Sequence, residues 1–352
     1  MTFRRRATRL TVHAATMALT VGAVGASTAV YAQDDIKVGL ITKTEVNPFF
    51  VTMRNAASVK AEELGIEFQA CAGNSDVDLP GQVTCIENQV ATGVDVILLT
   101  PGDPAGLVDA VQGARDEGVP VMALDTQMNP TETADVTFAT DNFQAGLLIG
   151  QWAKAALGDA AESAVVAFLD VSDGLQITTE VQRNQGFMTG FGIDPVDDTF
   201  IGDENDPRIA GFAATDGNPE LGRTAMENLL AANPDINVVY TINEPAAAGA
   251  FEAIDAAGRA GDVLIVSVDG GCPGVQNVAD GVIGATSMQF PLRMAQQGVQ
   301  AAVDWVKSGG KTLPENTEGL EFVNTGVVLI TDQSAEGIES EDTAWGLENC
   351  WG

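Results

Sequence analysis

Histidine is all but missing from this chain of 352 residues: His13 is the only one, and it sits in an N-terminal leader. A chain freed of that leader has no imidazole, which excludes Ser-His-Asp and Cys-His catalysis and any histidine-ligated metal. Positive charge is scarce too. Lysine and arginine number 17 against 49 acidic residues, a formal charge of −32, and a surface of that sign repels nucleic-acid phosphates and anionic lipid headgroups. No nucleic-acid partner is expected. Beyond the leader no run approaches 18 consecutive apolar residues, so the exported protein is not expected to be membrane-embedded. Nucleotide and hydrolase signatures are missing as well. Gly190-Phe191-Gly192 runs on to Pro195 instead of completing G-x-G-x-x-G, and neither G-x-x-x-x-G-K-[ST] nor G-x-S-x-G occurs. No cofactor and no metal are expected.

The leader reads as a signal peptide over residues 1–32. Arg4, Arg5, Arg6 and Arg9 precede a mostly apolar run from Val12 to Val30, and Val30-Tyr31-Ala32 fits a cut after Ala32. Gly, Ser and Thr interrupt the run, which argues against a permanent anchor. A periplasmic, secreted protein is expected. Loss of four arginines would leave 13 basic residues against the same 49 acidic ones. Carboxylates at that density keep a surface hydrated, which predicts a protein stabilised rather than destabilised by salt.

Cys71, Cys85, Cys272 and Cys350 all lie beyond the leader, and an even count in an exported chain points to disulfides. Three pairings can be drawn. Sequence proximity favours Cys71 with Cys85, a closure worth about 3 kcal/mol in the loop-entropy picture; Cys272 with Cys350 would then pin the C-terminal tail. Four buried free thiols are the alternative, and a four-cysteine zinc site lacks any C-x-x-C pair.

About 320 residues remain after the leader, more than one core usually serves, and 45% hydrophobic residues suffice for two cores. From Ile36 onward, short β-branched runs alternate with helical segments, the pattern of parallel βαβ units. Strands are predicted at 36–41, 66–70, 94–99, 119–124, 136–139, 164–169, 238–242, 263–268 and 283–288. Helices include 48–64, 104–117, 143–157, 220–232, 245–257 and 292–307, several opened by proline. The Asp-, Gly- and Asn-rich segment 197–218 reads as loops around one irregular strand. Changes of lobe fit best at 139–142, 287–291 and 322–325. The expected fold class is α/β: two Rossmann-like, doubly wound parallel-sheet lobes joined by a three-segment hinge. The lobes would comprise residues 33–140 with 290–323, and 141–289 with 324–352.

In such sheets ligands sit beyond the carboxyl ends of the strands. Those positions carry Lys43, Glu45 and Asn47-Pro48-Phe49-Phe50 after the first strand, then Asp125, Asn243 with Glu244, Asp269 and Gln289; Arg183 lies early in a later helix. Amides, carboxylates and a guanidinium offer fixed donors and acceptors, and two adjacent rings offer flat apolar faces. That set suits a polyhydroxylated ring. Each member has a plainer reading, a helix cap for Asn47, a surface role for Arg183, core for the phenylalanines, but five strand ends bearing polar groups are hard to attribute to capping alone. Asp125 with Asp269 could in principle form a glycosidase pair. Asp203, Glu204 and Asp206 lack the glycine and distal glutamate of a calcium loop and read as a solvated acidic turn.

Asn47-Pro48-Phe49-Phe50, Leu124-Asp125, Arg183 before Gln185-Gly186-Phe187, Asn243-Glu244 and Val268-Asp269-Gly270 occur in an order and spacing that resembles the periplasmic sugar-binding proteins of the ribose-binding type, which serve ABC importers. Coverage runs from about Ile36 to Ile330. The strings 39–45, 183–187, 243–249 and 267–273, with the ending Cys350-Trp351-Gly352, look like the fructose-binding branch. The resemblance implies a type I periplasmic binding protein closing over one monosaccharide. Asn47, Asp125, Arg183, Asn243, Asp269 and Gln289 would bond its hydroxyls, and Phe49 and Phe50 would pack on its ring. Lys43 stands where a small hydroxyl residue is usual, Thr126 where arginine follows the aspartate, and Val268 where an aromatic precedes Asp269. These departures put ribose in doubt and favour a differently shaped ketose or hexose; with the strings of the fructose-binding branch, fructose is the favoured ligand, and ribose or mannose the alternatives. The loop at Asp216, where the family carries a third aromatic, joins the site without an aromatic match. The implied partners are the sugar and an ABC permease with its ATPase, met by a monomer that performs no chemistry. A sensor presenting sugar to a chemoreceptor or kinase, and an exported carbohydrate-active enzyme, are the competing readings.

Overall fold

The computed structural model describes Thr2 and residues 36–352. The signal peptide and its cut after Ala32 lie outside these residues but for Thr2.

The strands run β1 (Lys37–Thr42), β2 (Glu67–Ala72), β3 (Val96–Leu99), β4 (Val121–Leu124), β5 (Val136–Ala139), β6 (Val166–Asp170), β7 (Ile209–Ala214), β8 (Val238–Thr241), β9 (Leu264–Asp269), β10 (Ala285–Met288), β11 (Val323–Asn324) and β12 (Val328–Ile330). They form two six-stranded sheets of one topology, β2-β1-β3-β4-β5-β11 and β7-β6-β8-β9-β10-β12. Every pairing is parallel except β10 with β12. The two lobes therefore share one strand order and differ in the direction of the last edge strand, although no sequence repeat announces the likeness. The chain passes from one sheet to the other after Ala139, after Met288 and after Asn324.

Helices cover both faces of each sheet, and this is why most strands are apolar without interruption. Alternate side chains feed opposite cores. Val38, Leu40, Val96, Leu98 and Leu124 join α1 (Pro48–Leu64) and α9 (Pro291–Lys307), whereas Ile41, Ile97, Leu99 and Val121 face α2 (Leu79–Ala91) and α3 (Val108–Asp116). In the second lobe Val166, Phe168, Tyr240 and Val266 pack with α4 (Asn142–Leu157) and α5 (Thr178–Phe191). On its other face Leu169, Val239 and Ile265 meet α6 (Pro219–Ala232) and α7 (Glu244–Ala256). Each fully buried Val, Leu or Phe contributes about 1.5–3 kcal/mol. The short α8 (Cys272–Ala279) and α10 (Thr343–Asn349) complete the second lobe. Among the described residues no helix is long and apolar enough to cross a membrane.

Asx residues start the helices: Asn47, Asp78, Asp141, Asn218, Asn243 and Asp342 each accept a bond from a first-turn N–H. The helix expected from Pro104 begins only at Val108. Asp103 accepts the Gly106 N–H at 2.8 Å, folding residues 103–106 into a turn ahead of the helix. The irregular strand expected within 197–218 is β7, whose register against β6 shifts beside Val166. Disulfides join Cys71 to Cys85 and Cys272 to Cys350.

Candidate functional site

The carboxyl ends of the two sheets face each other. Between them Lys43, Asn47, Phe49, Phe50, Asp76, Asp125, Arg183, Asn243, Asp269 and Gln289 enclose one cavity, with Val171, Thr179 and Ile242 behind. Arg183 organises its floor. Its Nε donates to Asn142 Oδ1 at 2.7 Å, one terminal nitrogen to the Ile242 carbonyl at 3.0 Å, and the other to Gln289 Oε1 at 2.9 Å. Gln289 Nε2 passes the chain on to Asp269 Oδ1 at 2.8 Å. A planar five-donor fork is the group that can meet three acceptors at once and still face a ligand.

Lys43 stands across from this network, 3.9 Å from Asp125 Oδ2 and 5.8 Å from the centre of the Phe50 ring. Asp125 directly follows β4 with φ 66°, and Asp269 ends β9 with φ 151°. The shared topology makes these equivalent positions, so each sheet presents one carboxylate on a backbone that L-residues rarely adopt. Asp76 after β2 and Asp216 after β7 form a second equivalent pair. A Cβ on Gly217, next to Asp216, would lie 2.8 Å from Asp76 Oδ2, so this pair meets across the cleft.

Burial governs the acids. It pushes Asp76 up to about 7, reinforced by Asp216, Asp125 and Asp269 and opposed by Lys43. It lifts Asp269 to about 7 against the Arg183 charge, and Glu244 behind it to about 8, with the Asp269 charge adding to the rise. Glu244 accepts the Gly270 and Gly271 N–H groups and the Thr286 hydroxyl, all at 2.8–2.9 Å, and so supports Asp269 from outside the cavity. The cavity itself is small, about 30 Å³, room for about two waters. Its polar groups thus bond chiefly to one another, and any larger ligand must part the lobes and replace those bonds.

Eleven of the residues singled out in the sequence divide as follows. Lys43, Asn47, Phe49, Phe50, Asp125, Arg183, Asn243, Asp269 and Gln289 line the cavity. Asn47 and Asn243 are caps as well, with Oδ1 accepting from Phe49 N and Ala246 N at 3.0 Å. Thr126 stands apart: it is fully buried and its hydroxyl donates to Asp125 Oδ2 at 2.8 Å, fixing that carboxylate from behind. Asp216, the eleventh, sits half-buried at the rim, where burial raises its carboxyl above the usual range and the Asp76 N–H only partly opposes the rise. Asp76 escaped the sequence reading; the strand-end rule, extended into the turn after the second strand, would have found it. In the acidic turn Asp206 pairs with Arg208 at 2.7 Å. Among the described residues no group of His, Cys, Asp and Glu could hold a metal ion.

Residues 38–312 match the periplasmic binding protein domain. The ribose import binding protein of Haemophilus influenzae is 30% identical over 298 residues, covering 85% of this chain and 94% of its own. The D-apiose import binding protein of Actinobacillus succinogenes is 28% identical over 287 residues, 81% and 86% of the two chains. Among solved structures, an ABC transporter solute-binding protein of Agrobacterium vitis with bound D-fucose superposes with a TM-score of 0.72 at 24% identity, covering 90% of this chain and all of that one.

Proposed function

The chain belongs to the periplasmic binding protein family, and from that premise we propose that it captures one monosaccharide between its lobes and delivers it to the permease of an ABC importer, fructose before ribose or mannose. It is a binding protein of the periplasm, not an enzyme. The observation that carries the reading is the convergence of charged and amide side chains from both sheets, with two phenylalanine rings, on one cavity.

Each sugar hydroxyl can donate one bond and accept two. Asn47, Asp125, Arg183, Asn243, Asp269 and Gln289 exchange their internal bonds for hydroxyls, Asp76 and Lys43 add a further pair from the first lobe, and Phe49 and Phe50 take the C–H faces. Thr126 acts by holding Asp125, and Asp216 by meeting Asp76 at the rim. The named ligands of the relatives, ribose, apiose and fucose, are all single sugars, which supports the class. Lys43, Thr126 and Val268, where a ribose site carries other residues, support the ketose. We assign 33–140 with 290–324 to one lobe and 141–289 with 325–352 to the other, one residue later than the sequence suggests because Asn324 pairs with Ala139. Closure is then a hinge motion about the three crossings, driven by the sugar's greater affinity for the closed form. The protein acts as a monomer, released by cleavage after Ala32.

A thermal-shift panel of fructose, ribose, mannose and apiose on secreted protein, whose N-terminus should read Gln33, tests this. A ligand selective for the native state raises the melting temperature in proportion to its affinity. Fructose should give the largest rise. A larger rise with another sugar removes fructose and leaves the receptor; no rise with any sugar removes the receptor.

A further inference from the structure

The penultimate residue crosses the cleft. Trp351 is tied to the second lobe four ways: through the Cys272–Cys350 disulfide beside it, through its carbonyl, which accepts the Cys272 N–H at 2.8 Å, through a bridge to Gly271, and through its indole N–H, which donates to the Gln289 carbonyl at 3.0 Å. Its ring nevertheless belongs to the core of the first lobe. It packs edge-on against Phe49 with centroids 5.3 Å apart and planes at 76°, and only 6% of the residue is exposed. Phe49 in turn meets Phe50 at 5.3 Å and 89°.

We infer that Trp351 is a positioning residue for the ligand site. Resting on the sugar-receptor reading, the inference extends it to a residue outside the cavity's wall. The indole touches the site at both of its ends. On one side it seats the ring of Phe49, which the sugar packs on. On the other it fixes the backbone of Gln289, whose side chain bridges Arg183 and Asp269. Because the two ends lie on opposite lobes, the contact forms fully only when the cleft is closed. The Cys272–Cys350 bond keeps a flexible C-terminus from carrying the indole away. Trp351 therefore slows opening and retains the sugar.

The test uses secreted full-length protein with Trp351→Ala, Trp351→Phe, Phe49→Ala and the double variant Phe49→Ala/Trp351→Ala, together with Cys350→Ser. An edge-on aromatic contact of this kind corresponds to about 3- to 10-fold in affinity. Trp351→Ala should weaken fructose binding by that factor, chiefly through faster release, and Trp351→Phe should recover part of it. Cys350→Ser should move affinity the same way. In the Phe49→Ala background the Trp351→Ala effect should shrink, as coupled neighbours require. Unchanged affinity in Trp351→Ala, or full additivity with Phe49→Ala, overturns the inference. If the parent protein binds no sugar, the receptor reading fails, and Trp351 is judged on the ligand-free shape. The radius of gyration from small-angle scattering should then be larger for Trp351→Ala than for the parent, and equal radii overturn the contact's role in closure.

Discussion

The backbone of Gly146 on α4 rests directly on the Arg183 carbonyl of α5, so closely that a Cβ at Gly146 would collide with that oxygen. Gly150 meets the Phe187 carbonyl in the same way, and Gly186 and Gly190 return the contact onto Phe143 and Leu147. Four glycines thus let two helices touch backbone to backbone. The helix that aims the guanidinium into the cleft is set by this contact, and so is Asn142, its first acceptor, at the start of α4.

Gly146→Ala should therefore disturb both fold and site. The added methyl forces α5 outward, an overpacking that costs about 1–3 kcal/mol, and misaligns the bonds of Arg183 to Asn142 and Gln289. Thermal unfolding should shift down and calorimetric sugar affinity should fall several-fold. Gly113→Ala in α3 is the control, since nothing lies within 4 Å of a Cβ there and alanine is the better helix former. Equal behaviour of the two variants would remove the role given to the helix contact.

Asp125 and Arg183 should separate affinity from stability. Removing either strands the partners of buried charged groups and should weaken sugar binding by about 10- to 150-fold, that is 1.5–3 kcal/mol. Arg183 also holds three elements together within the second lobe, whereas Asp125 joins only Lys43 and Thr126 in its own lobe. Arg183→Ala should lower the melting temperature of the sugar-free protein clearly more than Asp125→Ala. Calorimetry finding unchanged affinity in both variants would refute the site.

The sheets and most of the cavity were legible in the sequence for one reason. Both faces of each sheet are covered, so the strands stand out as apolar runs, and the polar residue that ends each run marks the ligand side. Asp125, Asn243, Asp269 and Gln289 were found in that way. Asp76 was not, because it stands four residues beyond the end of β2, in the turn that Asp78 caps into α2, and not directly at the strand's tip. Trp351 gave no signal of its contact with Phe49. The two come from opposite ends of the chain, and no local pattern encodes a meeting that depends on closing two lobes. Likewise β11 and β12, of two and three residues, are held by their neighbours and carry no run of their own.

Salt should stabilise the protein. At a formal charge of −32, folding brings carboxylates together, and added ions screen their repulsion. The melting temperature in sodium chloride should climb from millimolar to molar concentration. A fall over that range would count against the reading of the acidic surface.

Stability should also decline as pH rises from 5 to 8. Burial raises Asp76 and Asp269 to about 7 and Glu244 to about 8, whereas the unfolded groups titrate near about 4. Between those values the native state keeps protons that the unfolded chain has released. The stability this confers is complete below the unfolded pKa and is lost as pH rises through the folded one. The lowered carboxyls, such as Asp78 and Asp206, act with the opposite sign, but only where pH falls below about 4. Asp76 is the cleanest probe, since it stands at the cleft beside Lys43. In Asp76→Asn the decline measured by denaturant titration at pH 5, 6, 7 and 8 should flatten, with the variant gaining on the parent at the alkaline end. A parent whose stability climbs over this range, or a variant with the parent's slope, would show that Asp76 is already ionised in the folded cleft.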